Sequence, residues 1–126
     1  MEKVSMSHED YLEAIVMLGG TAANPVRSVD IAAKMGVSKA SVSKALTLLK
    51  EKGLVVQPHY GDVTLTEEGY AYGQSIFQRH GLITRFLNKG MGIDLEEAER
   101  EACIIEHAIS DEAYEKWAEF IKSLDL

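Results

Sequence analysis

A glycine at position 36 lies between two short amphipathic segments, and this arrangement limits the possible folds more than any other feature of the sequence. The segment 29–35 has helical spacing and ends at Gly36. Ser38 is well placed to cap a second helix, which continues through Lys50. The buried stripe of this second helix has i, i+4, i+7 spacing and consists of Val42, Leu46 and Leu49. Two short helices that meet at a glycine-containing turn are typical of a helix-turn-helix.

The segment after this helix has the composition of a small β-hairpin. Residues 54–56 are rich in apolar β-formers and predict a strand, and residues 58–62 contain the proline, glycine and aspartate of a turn. Residues 63–65 predict the returning strand. A hairpin that follows a helix-turn-helix indicates a wing.

Helices are predicted on both sides of this region. The first covers residues 7–20, with Ser7 as its N-cap and Gly19-Gly20 as its stop. The second follows the wing and extends from Glu67 to about Leu87, with Thr66 as its cap. After a break at 88–92, a third helix begins near Asp94, and a last helix begins at Ser110 and Asp111. The sequence therefore predicts a mainly α fold, in which an N-terminal winged helix-turn-helix with a small β-hairpin wing occupies residues 1–72. Residues 73–126 are predicted to form an all-α domain.

The composition is that of a globular chain. Its 126 residues, of which 46% are apolar and 26% charged, allow one ordinary core or two small subdomains that share one. No apolar run approaches the roughly 20 residues that span a bilayer, and the first residues lack the regions of a secretory signal. We therefore expect a cytoplasmic protein with no membrane partner. The single cysteine, Cys103, cannot form an internal disulfide, so it is either a small buried residue or a functional thiolate.

The charge of the chain is unevenly distributed. The whole sequence has a net charge of −7, whereas residues 24–61 carry a net +4. A basic segment that coincides with a helix-turn-helix indicates DNA, because the second helix of this motif lies in the major groove. The candidate DNA contacts are outward residues of this helix, one arginine before it and two residues of the wing: Arg27, Ser38, Lys39, Ala40, Ser41, Ser43, Lys44, His59 and Tyr60. The alternative is that the lysines form only a solvated helix face.

A second group of residues has the chemistry of a metal site. Cys103, Glu106 and His107 share one face of a predicted helix, and Glu99 joins them one turn earlier. Thiolate, carboxylate and imidazole groups together suit iron(II), zinc, manganese or cobalt. Further candidate ligands are an i, i+3 carboxylate pair and one histidine on other helices: Asp10, Glu13 and His80. Each of these residues has an ordinary alternative, because a lone cysteine is often part of a core and a lone histidine often lies on the surface.

Five segments of the sequence match a known family. They are DYLEAI at 10–15, VSKASVS at 37–43, LTEEG at 65–69, RH at 79–80 and CIIEHAIS at 103–110. Through them the chain resembles the iron- and manganese-dependent repressors of the diphtheria toxin repressor and manganese transport regulator family, over nearly its whole length. The resemblance implies a homodimeric winged-helix repressor whose all-α domain serves dimerisation and metal binding. Such a repressor binds double-stranded operator DNA when one or two divalent ions, Mn²⁺ or Fe²⁺, are bound per chain.

The resemblance also implies a set of metal ligands. The family's ligand positions fall on Asp10, Glu13, His80, Cys103, Glu106 and His107. The set is a hybrid, since Asp10 and Glu13 resemble the manganese-responsive branch while Cys103 resembles the iron-responsive branch. Glu99 stands where the iron branch carries a histidine ligand, and Thr84 stands where it carries a glutamate. Longer relatives add an SH3-like domain, which we do not expect in residues 1–126.

Two other functions fit parts of the sequence. The first is a metal-independent winged-helix regulator that senses a small organic ligand. In such a protein the basic segment would still bind DNA, and the polar stripe of Cys103, Glu106 and His107 would be part of the core. A metalloenzyme or a Cys-His nucleophile would use Cys103 and His107, but no oxyanion donor is evident beside them. We therefore predict that the chain is not an enzyme. Dimerisation is predicted to use apolar residues of the C-terminal half, chosen among Ile83, Phe86, Leu87, Tyr114, Trp117 and Phe120.

Overall fold

The computed structural model describes residues 3–59 and 61–126, and it divides the chain into two compact units. The N-terminal unit extends to Phe77, and the C-terminal unit comprises Gln78–Leu126. Tyr60, one of the predicted DNA contacts, lies outside the described residues. No helix in the described part of the chain is long and apolar enough to cross a membrane.

Three helices of the N-terminal unit precede the wing. They are α1 (Met6–Met17), α2 (Ser28–Met35) and α3 (Lys39–Glu51). Ser5 caps α1, because its side chain accepts a hydrogen bond from the His8 N–H at 3.2 Å, so the prediction of Ser7 as N-cap was wrong by two residues. Ser38 caps α3 as predicted, and its hydroxyl accepts from the Ser41 N–H at 3.1 Å.

Gly36 makes the turn of the helix-turn-helix. Its φ of 67° and ψ of 36° place it in the left-handed region, where a side chain costs energy and glycine does not. The helix α2 therefore ends at this residue, and α3 begins three residues later. The structure confirms the predicted helix-turn-helix.

The wing is part of a three-stranded antiparallel sheet. Its strands are β1 (Val26–Arg27), β2 (Val55–Val56) and β3 (Asp62–Leu65), in the order β1-β3-β2. In β3 the inward residues Val63 and Leu65 alternate with less buried ones, and they pair with Val26 and Val55, respectively. The hairpin was predicted, whereas β1 was not, because a two-residue strand has no periodicity of its own.

The core of the N-terminal unit collects the inward faces of these elements. Leu12 and Ile15 of α1, Ile31 of α2, and Leu46 and Leu49 of α3 are at most 1% exposed. Burial of one such aliphatic side chain stabilises the fold by roughly 1.5–3 kcal/mol. This core fixes the position of α3, whose other face is exposed.

A long helix, α4 (Glu67–Arg85), follows the wing and continues into the C-terminal unit. Thr66 caps it as predicted, with its hydroxyl 3.0 Å from the Gly69 N–H that donates to it. A π-helical turn over Phe86–Gly90 follows α4 in the region where the sequence predicted first the helix end and then a break. Two more helices complete the unit, α5 (Leu95–Ala108) and α6 (Asp111–Ser123), with Asp94 and Ser110 as their N-caps.

The C-terminal unit has a small core of its own. Ile83 and Leu87 pack with Ala98 and Ala102 of α5, and the partly buried Trp117 ring meets Phe86 edge-on at a centroid distance of 5.3 Å. Ile83 and Leu87, two of the residues considered for dimerisation, therefore serve the intramolecular core. Phe120, another of them, is 55% exposed.

Candidate metal centre and DNA interface

Helix α5 buries a carboxylate in line with its core residues. Ala98, Ala102 and Glu106 follow one another at intervals of four residues, and all three are buried. Glu106 is only 2% exposed, although a charged group is rarely buried so completely without a partner. The position that continues an apolar stripe is thus occupied by a carboxylate.

Two histidines flank this carboxylate. His80 Nδ1 of α4 lies 2.9 Å from Glu106 Oε2, at hydrogen-bonding distance. His107 Nε2 lies 3.3 Å from the other oxygen, Oε1, which nevertheless receives no hydrogen bond from residues 3–59 or 61–126. A buried carboxylate oxygen that accepts no hydrogen bond lowers the stability of the fold, and a bound cation would offset this loss.

Cys103 completes a group of three different donors on α5. One ligand atom each from Cys103, Glu106 and His107 can be chosen so that these atoms lie within 4.8 Å of one another. Ligand atoms about 2.0–2.3 Å from one ion can be at most about 4.6 Å apart, so this spacing needs little adjustment to surround a single cation. The donor chemistry and the unsatisfied Oε1 atom both fit a divalent transition metal.

The remaining predicted ligands include two carboxylates of α1 and one exposed carboxylate of α5. Asp10 is half-buried and Glu13 is 8% exposed, and both lie on α1 of the N-terminal unit. Glu99 is exposed and belongs to no ligand cluster found among the described residues. Thr84, which stands at a glutamate position of the iron branch, is buried, and its hydroxyl finds no hydrogen-bond partner within the described ranges.

The predicted DNA-contacting residues that the structure describes are all exposed. They are Arg27, Ser38, Lys39, Ala40, Ser41, Ser43, Lys44 and His59. Lys39 and Ser43 of α3 and His59 of the wing line one groove with a volume of about 390 Å³. A basic helix that borders such a groove offers donors to phosphate and to base edges.

Two polar residues of this groove were missing from the sequence prediction. Lys50 at the end of α3 donates a hydrogen bond from Nζ to Gln57 Oε1 at 2.9 Å, and both residues line the groove. The positive charge of Lys50 was a visible signal, but nothing in the sequence linked it to a residue of the wing.

The fold and the site together define a class of protein: a winged-helix DNA-binding protein with a helical unit that carries metal-ligand chemistry. Residues 3–63 match the family model described as the N-terminal DNA binding domain of the iron dependent repressor, and residues 66–125 match the model of its metal binding and dimerisation domain. The chain belongs to the iron dependent repressor family, which confirms the resemblance seen in the sequence. This is a family of transcriptional regulators.

Individual relatives agree with this assignment. The chain is 33% identical over 119 residues to an HTH-type transcriptional regulator of Methanocaldococcus jannaschii, covering 94% of this chain and 95% of the relative. It is 35% identical over 112 residues to the transcriptional regulator MntR of Escherichia coli O157:H7, covering 89% and 71% of the two chains. A solved manganese-dependent transcriptional repressor in complex with manganese superposes with a TM-score of 0.77 at 30% identity, over 91% of this chain and 52% of that one. The chain thus spans about half the length of this solved repressor and of the manganese regulator SloR, another solved structure that it matches.

Proposed function

We propose that this chain is a homodimeric transcriptional repressor that binds operator DNA when it holds Mn²⁺ or Fe²⁺. The observation that carries the proposal is the buried Glu106 carboxylate, whose Oε1 atom lacks a hydrogen-bond donor among the described residues while Cys103 and two histidines lie beside it. A buried carboxylate oxygen without a hydrogen-bond donor is explained if the carboxylate binds a cation. A metal-independent regulator would give no reason for it.

The proposed ligands come from three helices. His80 is on α4, and Cys103, Glu106 and His107 are on α5. We add Asp10 and Glu13 of α1, which are supported by their oxygen chemistry, their i, i+3 spacing and the family to which the chain belongs. We leave Glu99 out, because it is exposed and lies outside the ligand cluster. Six ligands can serve one ion or two.

The donor set restricts the metal. Carboxylate oxygens and imidazole nitrogens suit manganese and iron(II), and the Cys103 sulfur favours the softer iron(II). The set contains only one thiolate, unlike structural zinc sites, which usually have two or more. We therefore propose Mn²⁺ or Fe²⁺ as the physiological ion.

The same acidic residues supply a switch. Without a metal, the carboxylates of Asp10, Glu13 and Glu106 would share a site with a thiol and two imidazoles, and their like charges favour conformations that keep them apart. When bound, a divalent ion supplies the positive charge that offsets this repulsion. The equilibrium then shifts towards the DNA-binding conformation, and a change from mostly inactive to mostly active needs a differential affinity of roughly 5 kcal/mol.

The N-terminal unit supplies the DNA contacts. We propose that α3 enters the major groove, where Ser41 and Ser43 reach phosphate or base and Ala40 permits a close approach. Lys39 and Lys44 contact phosphate or guanine, and Arg27 with the wing residues His59 and Tyr60 contacts the adjacent backbone. A dimer would place two such helices in half-sites about one helical turn apart.

The decisive experiment measures DNA binding as a function of metal. A DNA duplex that the chain binds is first selected from a random-sequence pool under anaerobic conditions with Mn²⁺ or Fe²⁺. The affinity of the chain for this duplex is then measured by fluorescence anisotropy, once with metal and once with chelator. We expect binding that is at least roughly a hundredfold weaker in chelator, in line with a coupling of about 3 kcal/mol. Sedimentation equilibrium gives the oligomeric state of the same samples.

Matched variants connect this result to the site. Glu106→Gln removes the proposed ligand charge, whereas Glu101→Gln makes the same change at an exposed position of the same helix. We expect only the first to abolish metal-dependent DNA binding. Equal DNA affinity in chelator and in metal would contradict the proposal and favour a regulator that senses something else.

A further inference from the structure

Tyr72 of α4 ties together two segments at the start of the N-terminal unit. Its hydroxyl accepts a hydrogen bond from the Val4 N–H at 3.1 Å and donates one to the carboxylate of Glu9. Tyr72 and Glu9 are each only 7% exposed. The hydroxyl therefore links the first turn of α1, and the residues that precede it, to α4.

The residue after Tyr72 brings the same two helices into close contact. A Cβ atom at Gly73 would lie 2.8 Å from Val16 Cγ2 and 3.0 Å from the Leu12 carbonyl oxygen, so only glycine permits this approach of α1 to α4. The contact at Gly73 sets the distance between the two helices but supplies no directional polar bond. The hydrogen bond from Tyr72 to Glu9 is directional and therefore adds a restraint on rotation of α1 about its axis.

Glu9 lies close to two proposed ligands along α1. It precedes Asp10 directly, and it lies four residues before Glu13, on the same side of α1. Rotation of α1 about its axis would carry both ligand carboxylates with it, since each residue is fixed to the helix by its backbone. A buried i, i+4 pair of glutamates also repels, and a donor to Glu9 lowers that cost.

We propose that the Glu9–Tyr72 hydrogen bond is a positioning contact that holds Asp10 and Glu13 in the orientation that the metal requires. The inference rests on the proposed function, in which these two residues are ligands. Neither Glu9 nor Tyr72 needs to touch the ion. Loss of the hydrogen bond leaves the ligands present but less well oriented, so the metal affinity falls while the chain remains folded.

The test compares direct Mn²⁺ binding by isothermal titration calorimetry in the wild-type chain and four variants. Tyr72→Phe removes only the hydroxyl, and we expect its Mn²⁺ dissociation constant to rise roughly tenfold, as for other residues that orient ligands. Tyr70→Phe is the matched control on the same helix, because Tyr70 is 38% exposed, and it should bind Mn²⁺ like the wild type. Glu9→Gln retains an oxygen that accepts from Tyr72 and should stay close to the wild type, whereas Glu9→Ala should match Tyr72→Phe.

A double mutant separates this role from a general loss of stability. If the two residues act through one hydrogen bond, Glu9→Ala/Tyr72→Phe weakens Mn²⁺ binding no more than either single change. Additive losses, or an unchanged dissociation constant in Tyr72→Phe, would overturn the positioning role. Equal losses in Glu9→Gln and Glu9→Ala would also overturn it, because an oxygen that accepts from Tyr72 would then not preserve Mn²⁺ binding. A wild-type chain that binds no Mn²⁺ and no Fe²⁺ would overturn the proposed function, and the positioning role with it.

Discussion

His80 of α4 and Glu106 of α5 meet with 2.9 Å between Nδ1 and Oε2, so an imidazole and a carboxylate 26 residues apart form one polar pair in the C-terminal unit. The pair uses one carboxylate oxygen and leaves the other facing His107 without a hydrogen bond. The histidine thus orients the carboxylate, while the second oxygen is left available for a cation.

Replacement of Glu106 by glutamine should separate metal binding from folding. We expect the wild-type chain to gain about 2.7 kcal/mol in its free energy of unfolding when Mn²⁺ is present at a hundred times its dissociation constant. Glu106→Gln should lose this gain, because the neutral amide is a poor ligand, yet remain folded without metal. Urea denaturation with and without Mn²⁺ measures both quantities, and an undiminished gain in the variant would contradict the assignment of Glu106 as a ligand.

Cys103→Ser should change the metal preference. A thiolate binds soft metals better than a hydroxyl does, so affinity for Co²⁺ and Fe²⁺ should fall more than affinity for Mn²⁺. The Co²⁺-loaded wild type should show a near-ultraviolet sulfur-to-cobalt charge-transfer band that the variant lacks. Presence of the band in Cys103→Ser, or its absence from the wild type, would show that the sulfur is not a ligand.

Lys39→Ala should weaken DNA binding in a salt-dependent way. If Lys39 contacts one phosphate, its removal reduces the slope of log K against log salt concentration by about 0.9. Lys116→Ala is the control, because Lys116 is an exposed lysine of α6, far along the chain from α3. Anisotropy titrations on one duplex at several salt concentrations give the slopes, and identical slopes for the two variants would exclude a phosphate contact by Lys39.

Arg79 joins α4 to the turn between α5 and α6. It pairs with Asp111, donates to the Ile109 carbonyl at 3.4 Å and lies 4.6 Å from the centre of the Tyr114 ring. Arg79→Met should lower the free energy of unfolding by about 1–2 kcal/mol, since a charge-assisted pair and a cation–π contact are lost together. Arg100→Met, at a residue 67% exposed on its side chain, should stay within about 0.5 kcal/mol of the wild type in urea denaturation.

Arg79 also affects how the free energy of unfolding changes at alkaline pH, because it lies beside Tyr114. Burial raises the pKa of Tyr114 above its usual value of 10, and the charge of Arg79 partly opposes this rise. Because the folded chain holds the phenolic proton more tightly than the unfolded chain, this contribution to stability is present below pH 10 and is lost as the pH rises through the folded-state pKa. Tyr114→Phe should therefore lose less stability than the wild type above pH 10. Urea midpoints at a series of alkaline pH values measure the difference.

Features set by short-range chemistry were predictable from the sequence. Ser38 and Ser110 cap their helices through hydroxyls three residues from the N–H groups that donate to them, and Gly36 sets its own backbone angles. The stripe of Cys103, Glu106 and His107 was predictable because helical geometry alone puts these residues on one face.

Features that depend on distant partners could not be predicted. The strand β1 exists because Val26 pairs with Val63, and the buried state of Glu9 depends on a tyrosine 63 residues further along the chain. Ser5 and Ser7 are equally good capping residues in isolation, and only the folded chain selects Ser5. The π-helical turn after α4 likewise has no signal in the spacing of its side chains.

Ala98, Ala102 and Glu106 form one buried row along α5. This row affects how the metal preference of such a regulator could change through substitutions. The two alanines pack with Ile83 and Leu87, and Glu106 is the next residue in their row, so the position of its oxygens depends on the packing of the apolar side chains. A larger side chain at either alanine would lift the helix and displace every donor on it at once. In the proposed metal site, the preference among ions would thus be adjustable by residues of the hydrophobic core that do not contact the ion.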